Sequence, residues 1–193
     1  GCTYKYLNGG PGAPAFSYVR RGLHEVLSQP IRGWWSHHDM FEFDKGFVPA
    51  DDVMRFAVGT PPILSLTAVR VGVELTARAG IAAIRTKSLT LTETIIRLAH
   101  SSLGGLGFSV ATPTASHRRG SHVALRHDDA LAVTSALRER RVITDFRAPD
   151  TIRLGVAPLY TSHLEVVRAI ETIREVATGE GWGSSPGPER RVT

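Results

Sequence analysis

Lys5 is the first residue of this sequence whose type and setting suit covalent chemistry. It lies between Tyr4 and Tyr6 and just before the glycine-rich turn at residues 8–12. A lysine amine in an apolar setting loses its proton more readily and can form a Schiff base with a carbonyl. A strand that ends at a glycine turn would hold this amine against a planar cofactor, because glycine lets the backbone approach closely. An ordinary surface lysine is the competing interpretation.

Arg153 is the second candidate, because a guanidinium can hold a carboxylate with two parallel hydrogen bonds. It lies in a β-prone segment between Ile152 and Leu154. Side chains alternate across a strand, so Arg153 is expected on the face opposite to these two apolar residues. Taken alone, a solvent-facing arginine explains the same pattern.

Other chemistries have less support in the sequence. His122 and His127 are five residues apart in a β-prone region, so they are expected on opposite faces, and no His-x-x-x-His pair is present. We therefore predict no metal site. Cys2 has no identifiable base to activate its thiol. His37 and His38 are left without an assigned role.

Composition excludes several classes of protein. The chain has 193 residues, of which 42% are hydrophobic and 21% charged, as in an ordinary globular protein. It has no apolar run long enough for a membrane span, and its single cysteine fits a reducing cytoplasm. The net charge of +5 is scattered over arginine pairs, so we predict no nucleic-acid partner. The first residue is Gly1 and the opening reads as the middle of a fold, so we expect an N-terminal portion to precede it.

Periodicity and turn residues predict the elements that would position these side chains. The aromatic-rich segment 28–50 is predicted to be a loop that packs against another surface, such as a second subunit. Thr60 and Pro61 are predicted to cap and begin a helix, and Ser162 with Glu165 a capping box. The strands are predicted at 1–7, 15–19, 108–111, 121–126, 142–146 and 151–156, the helices at 63–77, 81–101, 128–140 and 162–177, and a disordered tail from 179.

Residues 4–12, YKYLNGGPG, resemble the pyridoxal-phosphate lysine segment of kynureninase, in the class V aminotransferase group of fold-type I enzymes. The Arg-x-Gly-x-x-x-x-Tyr element at 153–160 is shared with cysteine desulfurases. The YKYLN start, the GWW loop and RGSH together point to kynureninase. The resemblance covers roughly residues 1–177 and continues in order through GWW at 33–35, FEFD at 41–44, GTPPI at 59–63, RTKSL at 85–89, RGSHV at 119–123 and RLGVAPLY at 153–160.

The resemblance implies a role for each matching residue. Lys5 resembles the lysine that forms the Schiff base with pyridoxal 5'-phosphate and later moves protons. Tyr4 resembles the tyrosine that binds the cofactor phosphate and assists proton transfer. Trp34 and Thr60 resemble phosphate-contacting residues supplied by the neighbouring subunit of a homodimer. Arg153 resembles the arginine that holds the α-carboxylate of the substrate.

The implied reaction is hydrolytic cleavage of L-kynurenine, or its 3-hydroxy form, to an anthranilate and L-alanine in tryptophan catabolism. The implied fold is α/β, with the end of a fold-type I large domain at 1–80, a connecting helix at 81–103, a small C-terminal α/β domain at 104–177 and a flexible tail at 178–193. The order of elements after residue 108 independently indicates a small α/β layer domain.

The family chain is roughly double this length. Its N-terminal half supplies the aromatic ring that stacks on the cofactor, the acid at the pyridine nitrogen and a phosphate loop. We therefore expect the chain alone to be an incomplete enzyme. Two alternatives stay open, namely another class V lyase or transferase and a non-catalytic remnant. A desulfurase would need a catalytic cysteine loop in the C-terminal half, and Cys2 is the only cysteine of this sequence.

Overall fold

The computed structural model describes residues 1–43 and 45–179. The chain divides into two compact units, Gly1–Arg78 and Ala79–Thr193. Most of the predicted tail at 178–193 lies outside the described residues.

The first unit has little regular structure. Its two α-helices are α1 (Thr3–Tyr6) and α2 (Ile63–Ala79), and 3-10 turns lie at Arg21–Leu23, Trp34–Ser36 and Val53–Phe56. Long irregular segments connect these elements. Much of the shape of this unit is therefore set by loop hydrogen bonds and close backbone contacts.

The strand predicted at residues 1–7 is wrong, because this segment forms the single helical turn α1. Asn8 takes a left-handed conformation at φ 54°. The Gly9 N–H then donates back to the Thr3 carbonyl over 3.0 Å, which is the closure typical of a helix end. The strand predicted at 15–19 is also wrong, since only Ala15 pairs, in an isolated bridge with Cys2.

Helix α2 begins later than predicted. The Leu66 N–H donates to the Pro62 carbonyl over 2.9 Å, so Pro62 and not Thr60 occupies the capping position. The physical reason is the Pro61-Pro62 pair, because a proline disfavours helical conformation in the residue before it. Thr60 therefore lies in the extended segment that leads into the helix.

The second unit is a small mixed α/β domain. Its four-stranded antiparallel sheet has the order β1-β2-β4-β3. The Ser162–Glu165 capping box is confirmed at the start of α5. The elements are α3 (Ile81–Ser102), β1 (Ser109–Val110), β2 (His122–Arg126), α4 (Ala130–Glu139), β3 (Asp145–Arg147), β4 (Thr151–Gly155) and α5 (His163–Thr178).

The predictions for this unit are confirmed to within a few residues, with one exception. The strand predicted at 142–146 begins only at Asp145. Arg141 is left-handed at φ 63°, and the Val142 N–H donates to the Leu137 carbonyl over 2.9 Å. These residues close the end of α4 and are unavailable to the strand.

The helices cover one face of the sheet. Val123, Leu125 and Ile152 point to that face and are fully buried, with apolar side chains from α3, α4 and α5. Alternation along the strands places Arg153, Asp145 and their neighbours on the opposite face. That open face carries the second candidate residue of the sequence.

Candidate active site

Lys5 lies in the middle of α1 with an exposed side chain. Its Nζ is 5.6 Å from the centre of the Tyr4 ring. Across the part of the chain that the structure describes, no carboxylate pairs with this ammonium. The residue therefore lies on a helical turn and not at the predicted strand end, with its side chain exposed beside the Tyr4 ring.

The turn that carries Lys5 is held on both sides. The buried Thr3 hydroxyl donates to the Pro14 carbonyl, and the Thr3 carbonyl accepts from Gly9. Helix α2 packs directly on the following backbone, because a Cβ added to Gly72 would lie 2.0 Å from the Leu7 carbonyl oxygen. This close approach depends on Gly72 of α2, whereas an added Cβ at Gly10 or Gly12 of the predicted glycine turn would meet nothing within 4 Å.

Trp34 opens a 3-10 turn within the aromatic loop. Its ring meets Trp35 edge-on at 5.0 Å and Phe41 at 6.2 Å between centroids. The turn is fixed by the buried Ser36, whose hydroxyl donates to the Gly33 carbonyl over 2.8 Å. A Cβ on Gly33 would lie 1.6 Å from the Val58 carbonyl oxygen, so only glycine allows this crossing of two segments.

A shallow cavity of about 460 Å³ lies beside Trp34. Its lining includes Arg32, His37 and Phe47. The His37 ring lies 2.8 Å from the Asp39 carbonyl and 3.2 Å from the Gly46 carbonyl, so this histidine ties its own loop together. That contact gives His37, which the sequence left unassigned, a structural role.

The aromatic loop keeps much of its apolar surface exposed within the first unit. Trp34 is 47% exposed and Phe41 is 69% exposed. Thr60 is also exposed, three residues before the start of α2. Groups placed in this way can contact a ligand or another chain, and the covering surface predicted for this loop stays a prediction.

Arg153 lies on β4, on the open face of the sheet. Its Nη2 donates to Asp145 Oδ2, and the two residues are directly opposite each other in the β3–β4 pairing. Arg147 reaches the same oxygen, with its Nη2 at 3.0 Å and its Nε at 3.2 Å. Arg153 thus has the predicted orientation, together with a carboxylate partner that the sequence analysis missed.

The missed partners left a signal in the sequence. Asp145 and Arg147 are two residues apart on one short strand, so they share a face. Opposite charges on paired strands attract when they face each other. The strand predicted at 142–146 ends before Arg147, so it contains only one member of this pair.

Four of the five candidates lie in the first unit: Tyr4, Lys5, Trp34 and Thr60. Arg153 lies in the second unit. The described residues contain no group of three or more His, Cys, Asp or Glu side chains that could hold a metal ion. Within the same residues, no helix is long and apolar enough to cross a bilayer.

Solved structures define the class of fold. The chain superposes on the apo cysteine desulfurase of Thermococcus onnurineus NA1 with a TM-score of 0.70, at 17% identity, over 83% of this chain and 42% of that one. It also superposes on the cystine C–S lyase C-DES in complex with cysteine persulfide, with a TM-score of 0.67, at 20% identity, over 85% and 43%. A C-DES variant with glycine covalently linked to the pyridoxal-phosphate cofactor gives 0.66 at 19% identity, over the same shares. The chain therefore has the fold of the matching part of these cysteine desulfurase and C-DES structures.

Sequence comparisons match this chain to kynureninases. Residues 84–173 match the kynureninase C-terminal domain. The kynureninase of Burkholderia mallei (strain SAVP1) is 42% identical over 94% of this chain and 44% of its own length. The kynureninase of Pseudomonas fluorescens is 38% identical over 96% of this chain and 44% of its own length. The resemblance to the C-terminal part of kynureninase is therefore confirmed, and the chain spans less than half the length of these relatives.

Proposed function

We propose that this chain supplies the C-terminal part of a pyridoxal-phosphate-dependent kynureninase. The observation that carries the proposal is the 42% identity to a kynureninase over 94% of the chain. The reaction is hydrolysis of L-kynurenine, or its 3-hydroxy form, to an anthranilate and L-alanine. The remaining length of the relatives would supply the stacking ring, the acid at the pyridine nitrogen and the phosphate loop.

The residues present fit the cofactor. Lys5 is an exposed amine without a carboxylate partner in the described chain. A Cβ at Gly10 or Gly12 would meet nothing within 4 Å, so the turn after Lys5 faces open space. When bound, pyridoxal phosphate supplies an electron sink for charge that develops at the α-carbon of the substrate. Tyr4 and, from a neighbouring subunit, Trp34 and Thr60 would hold its phosphate.

Side chains of this chain then bind the substrate and transfer the protons. Arg153 binds the α-carboxylate of the substrate with its planar fork. Lys5 takes the proton from the α-carbon and returns protons later in the cycle. Water adds its hydroxyl group to the γ-carbonyl carbon and the Cβ–Cγ bond breaks. The acyl portion leaves as an anthranilate, and the β-carbon takes up a proton to give alanine.

The assembly and setting are part of the same proposal. We propose a homodimer with shared active sites, in the cytoplasm, serving tryptophan catabolism and the supply of precursors for NAD biosynthesis. The exposed Trp34 and Phe41 support a covered aromatic loop, because large apolar side chains exposed together mark interaction surfaces. A related desulfurase activity is disfavoured because Cys2 is the single cysteine.

The first test is reductive trapping of the cofactor. The purified chain is incubated with pyridoxal phosphate, reduced with borohydride and examined by intact mass and peptide mapping. We expect one adduct on Lys5, lost in Lys5→Ala and retained in Lys87→Ala. Adducts scattered over the lysines, or none, would show that this chain alone does not shape the cofactor site.

The second test is activity after completion of the enzyme. The chain is co-expressed with the N-terminal portion of the Pseudomonas fluorescens kynureninase, and anthranilate formation is followed by fluorescence. We expect activity that Lys5→Ala abolishes. A soluble, cofactor-loaded complex without any kynurenine cleavage would contradict the proposed function.

A further inference from the structure

We propose that Arg147 is a positioning residue for a carboxylate site at Arg153, because it shares the Asp145 carboxylate with that arginine. The inference rests on the proposed function, in which Arg153 receives the substrate α-carboxylate. It adds a reason why an arginine already paired with an acid can still bind an anion.

The three side chains form one cluster on the open face of the sheet. Asp145 Oδ2 accepts from Nη2 of Arg153 and from Nη2 and Nε of Arg147, at 3.0 and 3.2 Å. The side chains of Arg153, Asp145 and Arg147 are 34%, 32% and 44% exposed. All three groups are therefore open to a ligand that approaches this face.

The charges of the cluster decide what it can bind. If Asp145 paired with Arg153 alone, the pair would be neutral and would offer little attraction to a carboxylate. Arg147 adds a second positive charge to the same oxygen, so one unit of positive charge remains. One bound carboxylate would neutralise the cluster.

The geometry also leaves donors available. Only Nη2 of Arg153 has a hydrogen-bond partner among the described residues, so its Nη1 and Nε groups can face a carboxylate. Asp145 lies opposite Arg153 on one side, and the small Ala124 lies opposite it on the other. The guanidinium is therefore held by Asp145 on one flank, and its cross-strand neighbour on the other flank carries only a methyl group.

The test measures carboxylate binding on the full chain without any cofactor. Sodium acetate is titrated at constant ionic strength, and the arginine Nε–Hε resonances are followed by NMR, with Arg153 assigned through its loss in Arg153→Lys. A unit charge about 6 Å away, at an effective dielectric constant of about 40 to 80, changes affinity about three- to tenfold. Arg147→Gln is expected to weaken acetate binding at Arg153 by that factor.

Two further variants separate charge sharing from a structural role. The double variant Asp145→Asn with Arg147→Gln restores the single positive charge, so its affinity is expected within twofold of the original chain. Arg126→Gln is the matched control, because Arg126 lies on the same face but is 3.8 Å from Asp150 and outside the cluster. Its loss is expected to change the affinity less than twofold.

Three results would overturn the inference. The first is that the Nε–Hε resonance of Arg153 shows no saturable shift with acetate. The second is that Arg126→Gln and Arg147→Gln weaken acetate binding equally. The third is that the double variant binds acetate as weakly as Arg147→Gln alone. In the completed enzyme, Arg147→Gln should raise KM for kynurenine but leave binding of its decarboxylated amine unchanged. An inactive complex would contradict the proposed function only, because the acetate titration measures carboxylate binding at Arg153 without any enzyme activity.

Discussion

Gly72→Ala tests whether helix α2 fixes the turn that carries Lys5. A Cβ at this position would lie 2.0 Å from the Leu7 carbonyl oxygen and 2.8 Å from the Asn8 carbonyl carbon. Cβ contacts under 3.0 Å essentially do not occur, so the helix and the turn must separate by about 1 Å. Because the obstructing atoms belong to the backbone, no side-chain rotation can relieve the contact.

The expected cost follows from that displacement. Overpacking of a well-packed contact destabilises by about 1–3 kcal/mol, and a misplacement of about 1 Å at a reacting group can lower a rate roughly a hundredfold. We expect Gly72→Ala to lower the stability of the first unit and to slow borohydride-trapped adduct formation at Lys5 by at least tenfold. Hydrogen exchange monitored by mass spectrometry measures the first effect, and a trapping time course measures the second.

The control is Gly22→Ala in the same unit, where an added Cβ meets nothing within 4 Å and no positive φ is required. Its trapping rate should equal that of the original chain. If Gly72→Ala traps cofactor as fast as Gly22→Ala, the helix does not position Lys5 and the reasoning is refuted.

Three further predictions concern the second unit. Leu137→Ala removes a fully buried side chain of α4 and should destabilise by about 2–5 kcal/mol in urea unfolding. Glu93→Gln leaves the buried Arg119 guanidinium without its carboxylate, 2.6 Å away, and should cost about 1–3 kcal/mol in the same assay. Hydrogen bonds from Ser162 hold the pKa of Glu165 below its ordinary value, so the carboxylate adds stability above about pH 4.3 that is lost at lower pH. Glu165→Gln should therefore lower Tm at pH 7, with the difference vanishing in strong acid.

Each of these has a result that would contradict it. The exposed Leu164→Ala should change stability by under about 0.5 kcal/mol, and a loss equal to that of Leu137→Ala would mean that burial does not set the cost. An unchanged urea midpoint for Glu93→Gln would show that the remaining contacts of Arg119 stabilise its buried guanidinium without the Glu93 carboxylate. A Tm difference for Glu165→Gln that persists at pH 2 would rule out the titration of this carboxylate as its origin.

The sequence predicted the second unit well because its signals are local. Helix α5 has a capping box at Ser162 and Glu165, and both of its hydrogen bonds are present. The strands at 121–126 and 151–156 pair directly with each other, and every buried apolar side chain of the described core belongs to this unit. Propensity, capping and packing agree there, which is the condition under which sequence patterns are reliable.

The first unit was predicted less well because its structure depends on contacts between distant segments. The β-prone Tyr4 and Tyr6 became helical when Asn8 and Gly9 closed the turn onto Thr3. A strand needs a partner along its length, and the pairing here consists of a single bridge. The candidate residues themselves were found through residue type and resemblance, and neither depends on the local secondary structure.

The two units differ in how much apolar surface each of them buries. The residues of the first unit that reach full burial are small or polar, such as Thr3, Gly9, Ser36 and Gly72. Apolar side chains that would normally form a core are instead exposed along α2, where Leu64 is 89% exposed. Hydrophobic burial is the dominant favourable contribution to folding, so a unit that buries so little by itself is expected to need a further surface. In the proposed function, the remaining length of the relatives, of which this chain matches 44%, would supply that surface together with the rest of the cofactor site.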